Sequence, residues 1–145
     1  MTALRLLLFR AGGQVFAVEA GAVREILPSS PPTRLPGAPD AVCGLINVRG
    51  LLVTVVDAAR AIGTGQASAA SGGSIILVER GGLAARPVGL AVDEVLDLVT
   101  VPAASLDDQA SLPGVRPDLV RAVGAAGGLP FVQLATDVLL DPLLP

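Results

Sequence analysis

The side chains that could do chemistry in this chain are few and fall in three places. Asp93, Glu94 and Asp97 lie close together, and Asp107 adjoins Asp108. Paired carboxylates at such spacing can pass a proton as general acid and base, or hold magnesium. The same residues read equally well as solvated surface and turn carboxylates. Cys43 is the only cysteine, so no intrachain bridge can form, and a lone thiol most often packs as a small hydrophobe. Arg49 closes the stretch CGLINVRG, Cys43 to Gly50, just before the apolar run LLVTVV, Leu51 to Val56. A permanent guanidinium charge against such a run needs a partner, inside the fold or outside it.

The residues that are missing narrow the chemistry further. The chain has no His, Lys or Tyr, which removes the commonest general acids and bases. A Ser-His-Asp or Cys-His arrangement cannot be assembled, and one cysteine does not make a zinc site. No enzymatic activity, metal or cofactor is expected. The glycine doublets at 12–13, 72–73, 81–82 and 127–128 lack the spacing of a phosphate-binding loop. They sit beside apolar runs, where glycine suits a hairpin turn.

Charge and length bound the rest. Ten arginines face thirteen acidic residues for a net charge of −3, with three Phe and no Tyr or Trp. Without a basic run or stacking platforms, nucleic-acid binding is disfavoured. In MTALRLLLFRAGG only Leu6 to Phe9 is apolar before Arg10 interrupts, unlike a secretory signal. No run approaches the ~18 apolar residues of a membrane span. The expectation is a soluble, cytoplasmic monomer without direct membrane insertion. A chain of 145 residues suits one domain, and can bury roughly 70% of its unfolded surface without disulfides or metal.

Short branched-aliphatic runs separated by turn signals predict strands at Leu4–Phe9, Gln14–Val18, Leu51–Val56, Ser74–Val78, Val88–Val92 and Leu129–Leu134. Asp57–Ile62 and Thr136–Leu140 each begin with a capping-type residue after a strand and predict short helical turns. Residues 63–73 read as a flexible linker. Five prolines between Pro28 and Pro39 exclude a central strand or helix there.

The chain also repeats itself. Leu7–Gly13 aligns with Ile76–Gly82, Val15–Leu27 with Pro87–Val99, and Gly50–Val56 with Gly128–Leu134. The order of elements matches as well: hairpin, V-x-[ED]-[IL], connection, strand, helical turn. Two small β-barrels packed side by side follow, approximately 1–62 and 74–140 within a single domain 1–145, with an apolar groove at their junction.

With VREIL at Val23–Leu27, GLINVRGLLVTVVD at Gly44–Asp57 and VGLAVDEVLDLV at Val88–Val99, the chain resembles the CheW-like coupling adaptors of bacterial chemosensory systems. Gly44, Asn47, Arg49, Gly50, Val55 and Asp57 match the family's core pattern, while Leu45, Val48 and Thr54 depart mildly from it. The resemblance implies an all-β fold of two intertwined, five-stranded SH3-like barrels with short helical turns, strands being exchanged between the copies. It implies a scaffold without chemistry, recruited to chemoreceptor clusters. Such a scaffold joins the cytoplasmic tip of a methyl-accepting chemotaxis receptor to the regulatory domain of a CheA-type histidine kinase. A divergent adaptor that binds only the receptor is the alternative. An enzyme using the carboxylates on an unrelated barrel is a third.

By the same resemblance, Val23, Glu25 and Ile26 fall at the partner-binding surface, and Gly44 and Asn47 frame the turn leading to Arg49. Arg49 either meets a receptor helix beside the groove, or bonds carbonyls or an acid such as Asp57 with its stem on the core. Glu25 has the alternative of a plain strand-end carboxylate. Ile26, Ile76 and Val88 either line the groove or pack in the core.

Overall fold

A computed structural model describes residues 2–63, 73–79, 86–108 and 117–140. The expected linker falls largely at 64–72, outside the described residues, as do the doublet at 81–82 and Gly72. Ten strands are present: β1 (Ala3–Ala11), β2 (Gln14–Glu19), β3 (Val23–Pro28), β4 (Val42–Val48), β5 (Leu51–Asp57), β6 (Ser74–Glu79), β7 (Pro87–Val92), β8 (Glu94–Pro102), β9 (Val120–Ala126) and β10 (Leu129–Leu134). Two short helices, α1 (Ala58–Ile62) and α2 (Thr136–Leu140), follow β5 and β10.

The strands form two five-stranded sheets, ordered β8-β1-β2-β10-β9 and β3-β6-β7-β5-β4. Each curls around its own apolar cluster as an SH3-like barrel. Replacing every strand of the first order by its counterpart in the repeat yields the second order. The barrels are therefore intertwined: the hairpin β1–β2 joins strands from the second half of the chain, and β6–β7 joins strands from the first.

Register carries the repeat down to single residues. Leu7 pairs with Val18, and their counterparts Ile76 and Leu90 pair with each other. Gln133 lies parallel to Ala17 as Val55 lies parallel to Gly89. The register breaks at Arg24 and Cys43 in one sheet, and at the counterpart positions Leu96 and Arg121 in the other. Bulges bend a strand and tighten its twist, so their recurrence gives both barrels the same curvature.

Period-2 alternation on the central strands explains the core. Leu6 and Leu8 of β1 join Ala17, Val101 and Phe131 inside the first barrel. Ile75 and Leu77 of β6 join Ile46, Val53 and Val55 inside the second. The intervening residues, Leu7 and Phe9 with Ile76 and Val78, face the other way into the largest cluster, between the barrels. A strand buried on both faces reads as a continuous apolar run, as these do.

The helical turns differ at their starts. Asp57 caps α1 by accepting a hydrogen bond from the Arg60 amide at 3.2 Å. Because α2 begins at Thr136, its capping position falls on Ala135 instead.

Candidate functional site

Of the carboxylates that could have done chemistry, Asp93, Glu94 and Asp97 are committed within the fold. Asp93 accepts from the Gly12 amide at 3.0 Å, and Glu94 pairs with Arg10 at 2.9 Å. The Asp97 carboxylate accepts from the Leu98 amide, and the Asp107 backbone bridges to Val123. Among the described residues no group of three His, Cys, Asp or Glu could hold a metal. Cys43 is half-buried, and burial pushes its thiol pKa up, away from the reactive thiolate.

The open surface where the barrels meet is narrower than the whole junction. A groove of about 500 Å³ is lined by Arg5 and Leu7 of β1, Ala20 and Gly21, Val23 and Ile26 of β3, and Leu98 of β8. Ile26 is 44% exposed and Leu98 47% exposed. These two are counterparts in the repeat, one from each barrel, so the groove's exposed apolar anchors are related by the internal symmetry. Val23 and Ile26 were expected there. Leu98 and Arg5 were not singled out, although aligning Ile26 with Leu98 already carried the signal for one of them.

Two residues left open between groove and core belong to the core. Ile76 is fully buried and Val88 is 3% exposed, both in the cluster between the barrels. The physical reason is that β6 and β7 are central strands covered on both faces, so the junction beneath the groove is filled core.

Arg49 occupies the first position of the two-residue turn joining β4 to β5, with φ +51°. The following Gly50 has φ +88°, and both values suit the mirror-image turn that matches strand twist. Asn47 accepts a hydrogen bond from the Gly50 amide at 2.7 Å and braces the turn. The counterpart turn in the other barrel is Gly127–Gly128, which adopts the same conformation without a side chain. A left-handed non-glycine residue is uncommon, and here the guanidinium reaches Glu25 through both nitrogens. Nη1 donates to Oε2 at 3.0 Å and Nη2 donates to Oε1. Since β3 and β4 are the two edges of their sheet, this fork-to-fork pair clasps the barrel's seam. The acid Arg49 meets is thus Glu25, not Asp57, and with the side chain 71% exposed its stem does not pack on the core.

The Arg49 guanidinium holds the Glu25 carboxyl below the usual carboxylate range. A lowered folded-state pKa means the clasp contributes above the ordinary glutamate range and is lost as pH falls through the lowered value. Carboxyl-carbon NMR should show Glu25 titrating below the ordinary glutamate range, and Arg49→Ala should raise its midpoint. An unchanged midpoint in that variant would remove the clasp from the account.

Gly44 lies at the bulge of β4 beneath the proline-rich segment, not in the turn. Thr33 and Leu45 exchange backbone hydrogen bonds, both 2.8 Å, so the segment covers the sheet's open edge.

The fold and the groove together define a class: intertwined double SH3-like barrels with an apolar cleft between subdomains. The CheW-like domain family matches residues 5–141, and the chain belongs to that family. It is 41% identical over 96 residues to the chemotaxis protein CheW of Rhizobium meliloti, covering 66% of this chain and 60% of that protein. It is 34% identical over 101 residues to the protein PilI of Pseudomonas aeruginosa, covering 70% and 55%. The chain's aligned part thus spans about three fifths of the curated relatives' length. Among solved structures it is similar to the scaffolding protein TtCheW from Thermoanaerobacter tengcongensis. The TM-score is 0.85 at 20% identity, over 97% of this chain and 94% of that one. No helix among the described residues is long and apolar enough to cross a membrane.

Proposed function

We propose that this protein is a non-enzymatic adaptor coupling methyl-accepting chemoreceptors to a CheA-type histidine kinase. The observation that carries the reading is the groove, with a symmetric apolar pair, Ile26 and Leu98, exposed at its rim. A helical receptor tip laying its apolar face into such a cleft is a recurring recognition mode. The names of the relatives, a chemotaxis protein and a scaffolding protein, support it. On this reading the chain works in the cytoplasm at receptor clusters. It is one domain over 1–145, monomeric when isolated, with copies at approximately 1–62 and 74–140.

The kinase contacts fall at the outer ends of the barrels. Leu52 is 63% exposed at the start of β5, beside exposed Leu51. Leu129, the counterpart of Leu51, is exposed at the start of β10. One apolar end per barrel suits a unit that must present two faces to build a ring, because heterologous contacts close only when each unit offers both. Leu52→Asp should therefore weaken binding to a purified kinase regulatory domain about tenfold or more, with the melting temperature unchanged. Kinase binding equal to wild type would move that contact elsewhere. Failure of the wild type to bind kinase while still binding receptor tips would establish a receptor-only adaptor.

A further inference from the structure

The groove holds one charged side chain that the fold itself does not use. Of the residues that line it only Arg5 is charged, and Arg5 is exposed. It forms no ion pair among the described residues. The other arginine of β1, Arg10, meets Glu94 at 2.9 Å. Across the strands from Arg5 lies Thr100 of β8, and the chain that follows β2 into the groove contributes Ala20 and Gly21. No lining residue of the groove therefore offers this guanidinium a carboxylate.

The internal repeat shows what this cation changes. Aligning Leu7 with Ile76 sets Arg5 against Ser74. The exposed apolar anchors, Ile26 and Leu98, are thus a symmetric pair, while the cation has an uncharged counterpart. The anchors alone do not distinguish the two directions in which a helix could lie in the groove; a charge on one side of the symmetry axis does. Arg5 stands two residues along β1 from Leu7, whose cross-strand partner is Leu98. Strand alternation puts Arg5 and Leu7 on the same face, about 7 Å apart. That is about one turn of a helix lying along the strand. A helix that covers the groove strips water from the guanidinium, which is costly unless an opposite charge replaces the water.

We propose that Arg5 pairs with a carboxylate on the receptor-tip helix and so sets the direction in which that helix lies in the groove. The inference rests on the adaptor reading and deepens it. The partner presents an apolar face to Ile26 and Leu98, and an acidic side chain about one turn beyond the residue seated on Leu98. A carboxylate fits because the guanidinium fork matches its two oxygens. A basic side chain at the same place is repelled, so the one residue both attracts the right helix and rejects the reversed one.

The test titrates a soluble receptor-tip fragment against wild type, Arg5→Gln, Arg5→Glu and Ile26→Asp. Arg5→Gln is expected to weaken binding about tenfold, and Arg5→Glu to weaken it further. Both should keep the wild-type melting temperature, because the side chain is exposed. The acidic residues of the fragment are then neutralised one at a time, Glu to Gln and Asp to Asn. One of these changes should weaken binding to wild type by the same factor yet leave binding to Arg5→Gln unaltered, as the two halves of one pair do. An arginine at that fragment position should restore binding to Arg5→Glu. Wild-type affinity in both Arg5 variants, or losses that simply add for every fragment change, would overturn the proposal. If Ile26→Asp still weakens binding in that case, apolar contacts alone hold the receptor and the adaptor reading stands. If Ile26→Asp also binds like wild type, the groove reading falls together with the proposal.

Discussion

Gly44→Val is expected to destabilise the fold by about 3–5 kcal/mol, the sum of typical backbone-strain and overpacking costs. A Cβ built at Gly44 would stand 2.1 Å from the Thr33 carbonyl oxygen, 2.6 Å from its carbon and 3.1 Å from the Arg34 Cα. All three are backbone atoms, so no rotamer change relieves the contact. The φ of +146° is a second obstacle, since side-chain-bearing residues rarely adopt it. Relief by moving the proline-rich segment would break the two Thr33–Leu45 hydrogen bonds and uncover the β4 edge. For a domain of this size the melting temperature should fall by roughly 10 °C. Gly21→Ala is the control, with nothing within 4 Å of the added carbon, and should melt near wild type. The counterpart of Gly44 in the other barrel is Ala122, so the bridge itself tolerates a Cβ. What forbids one at Gly44 is the path of the segment through Thr33. A Gly44→Val protein that melts like Gly21→Ala would show that path to be wrong.

That segment illustrates what could be read from residues alone. Its prolines excluded a strand, but not the single bridge by which Thr33 covers β4. The six strands expected from apolar runs, β1, β2, β5, β6, β7 and β10, are the three central strands of each sheet. The four that escaped, β3, β4, β8 and β9, are the sheet edges. Edge strands are solvated on one side, so their sequences mix Arg24, Glu25, Asn47 or Asp97 with apolar residues, and β9 is mostly small side chains. Repeat alignment was the stronger signal, because it is blind to burial: it paired residues whose strand register and bulges later coincide. The site was legible to the extent that it lies on β3, where Val23 and Ile26 do line the groove. Ile76 and Val88 stayed open between groove and core, because an aliphatic residue beside a turn looks the same whether one face of its strand is covered or both, and burial decides for the core. Arg49 had a partner too distant in sequence to choose, and only the seam between β3 and β4 brings Glu25 to it.

Ile26→Asp and Leu98→Asp are expected to weaken receptor-tip binding about a hundredfold each, the scale of a central interface residue. Both side chains are nearly half exposed, so substitution creates no core cavity and stability should change little. The loss comes from placing a carboxylate where an apolar helix face must desolvate it. Because the two are symmetry counterparts on opposite sides of one groove, the double variant should lose less than the sum of the singles, as residues sharing a partner do. Native circular dichroism with near-normal binding in either variant would place the receptor elsewhere.

The central claim is that one small fold carries two independent contacts, a groove for receptor and an outer barrel end for kinase. The most direct measurement reads both affinities for wild type, Ile26→Asp and Leu52→Asp, using a soluble receptor-tip fragment and the isolated kinase regulatory domain. A crossed result is expected: Ile26→Asp weakens receptor binding and leaves kinase binding as in wild type, and Leu52→Asp weakens kinase binding at its end of the molecule and leaves receptor binding as in wild type. Parallel losses in both variants would mean a single shared surface, and the coupling role would be contradicted.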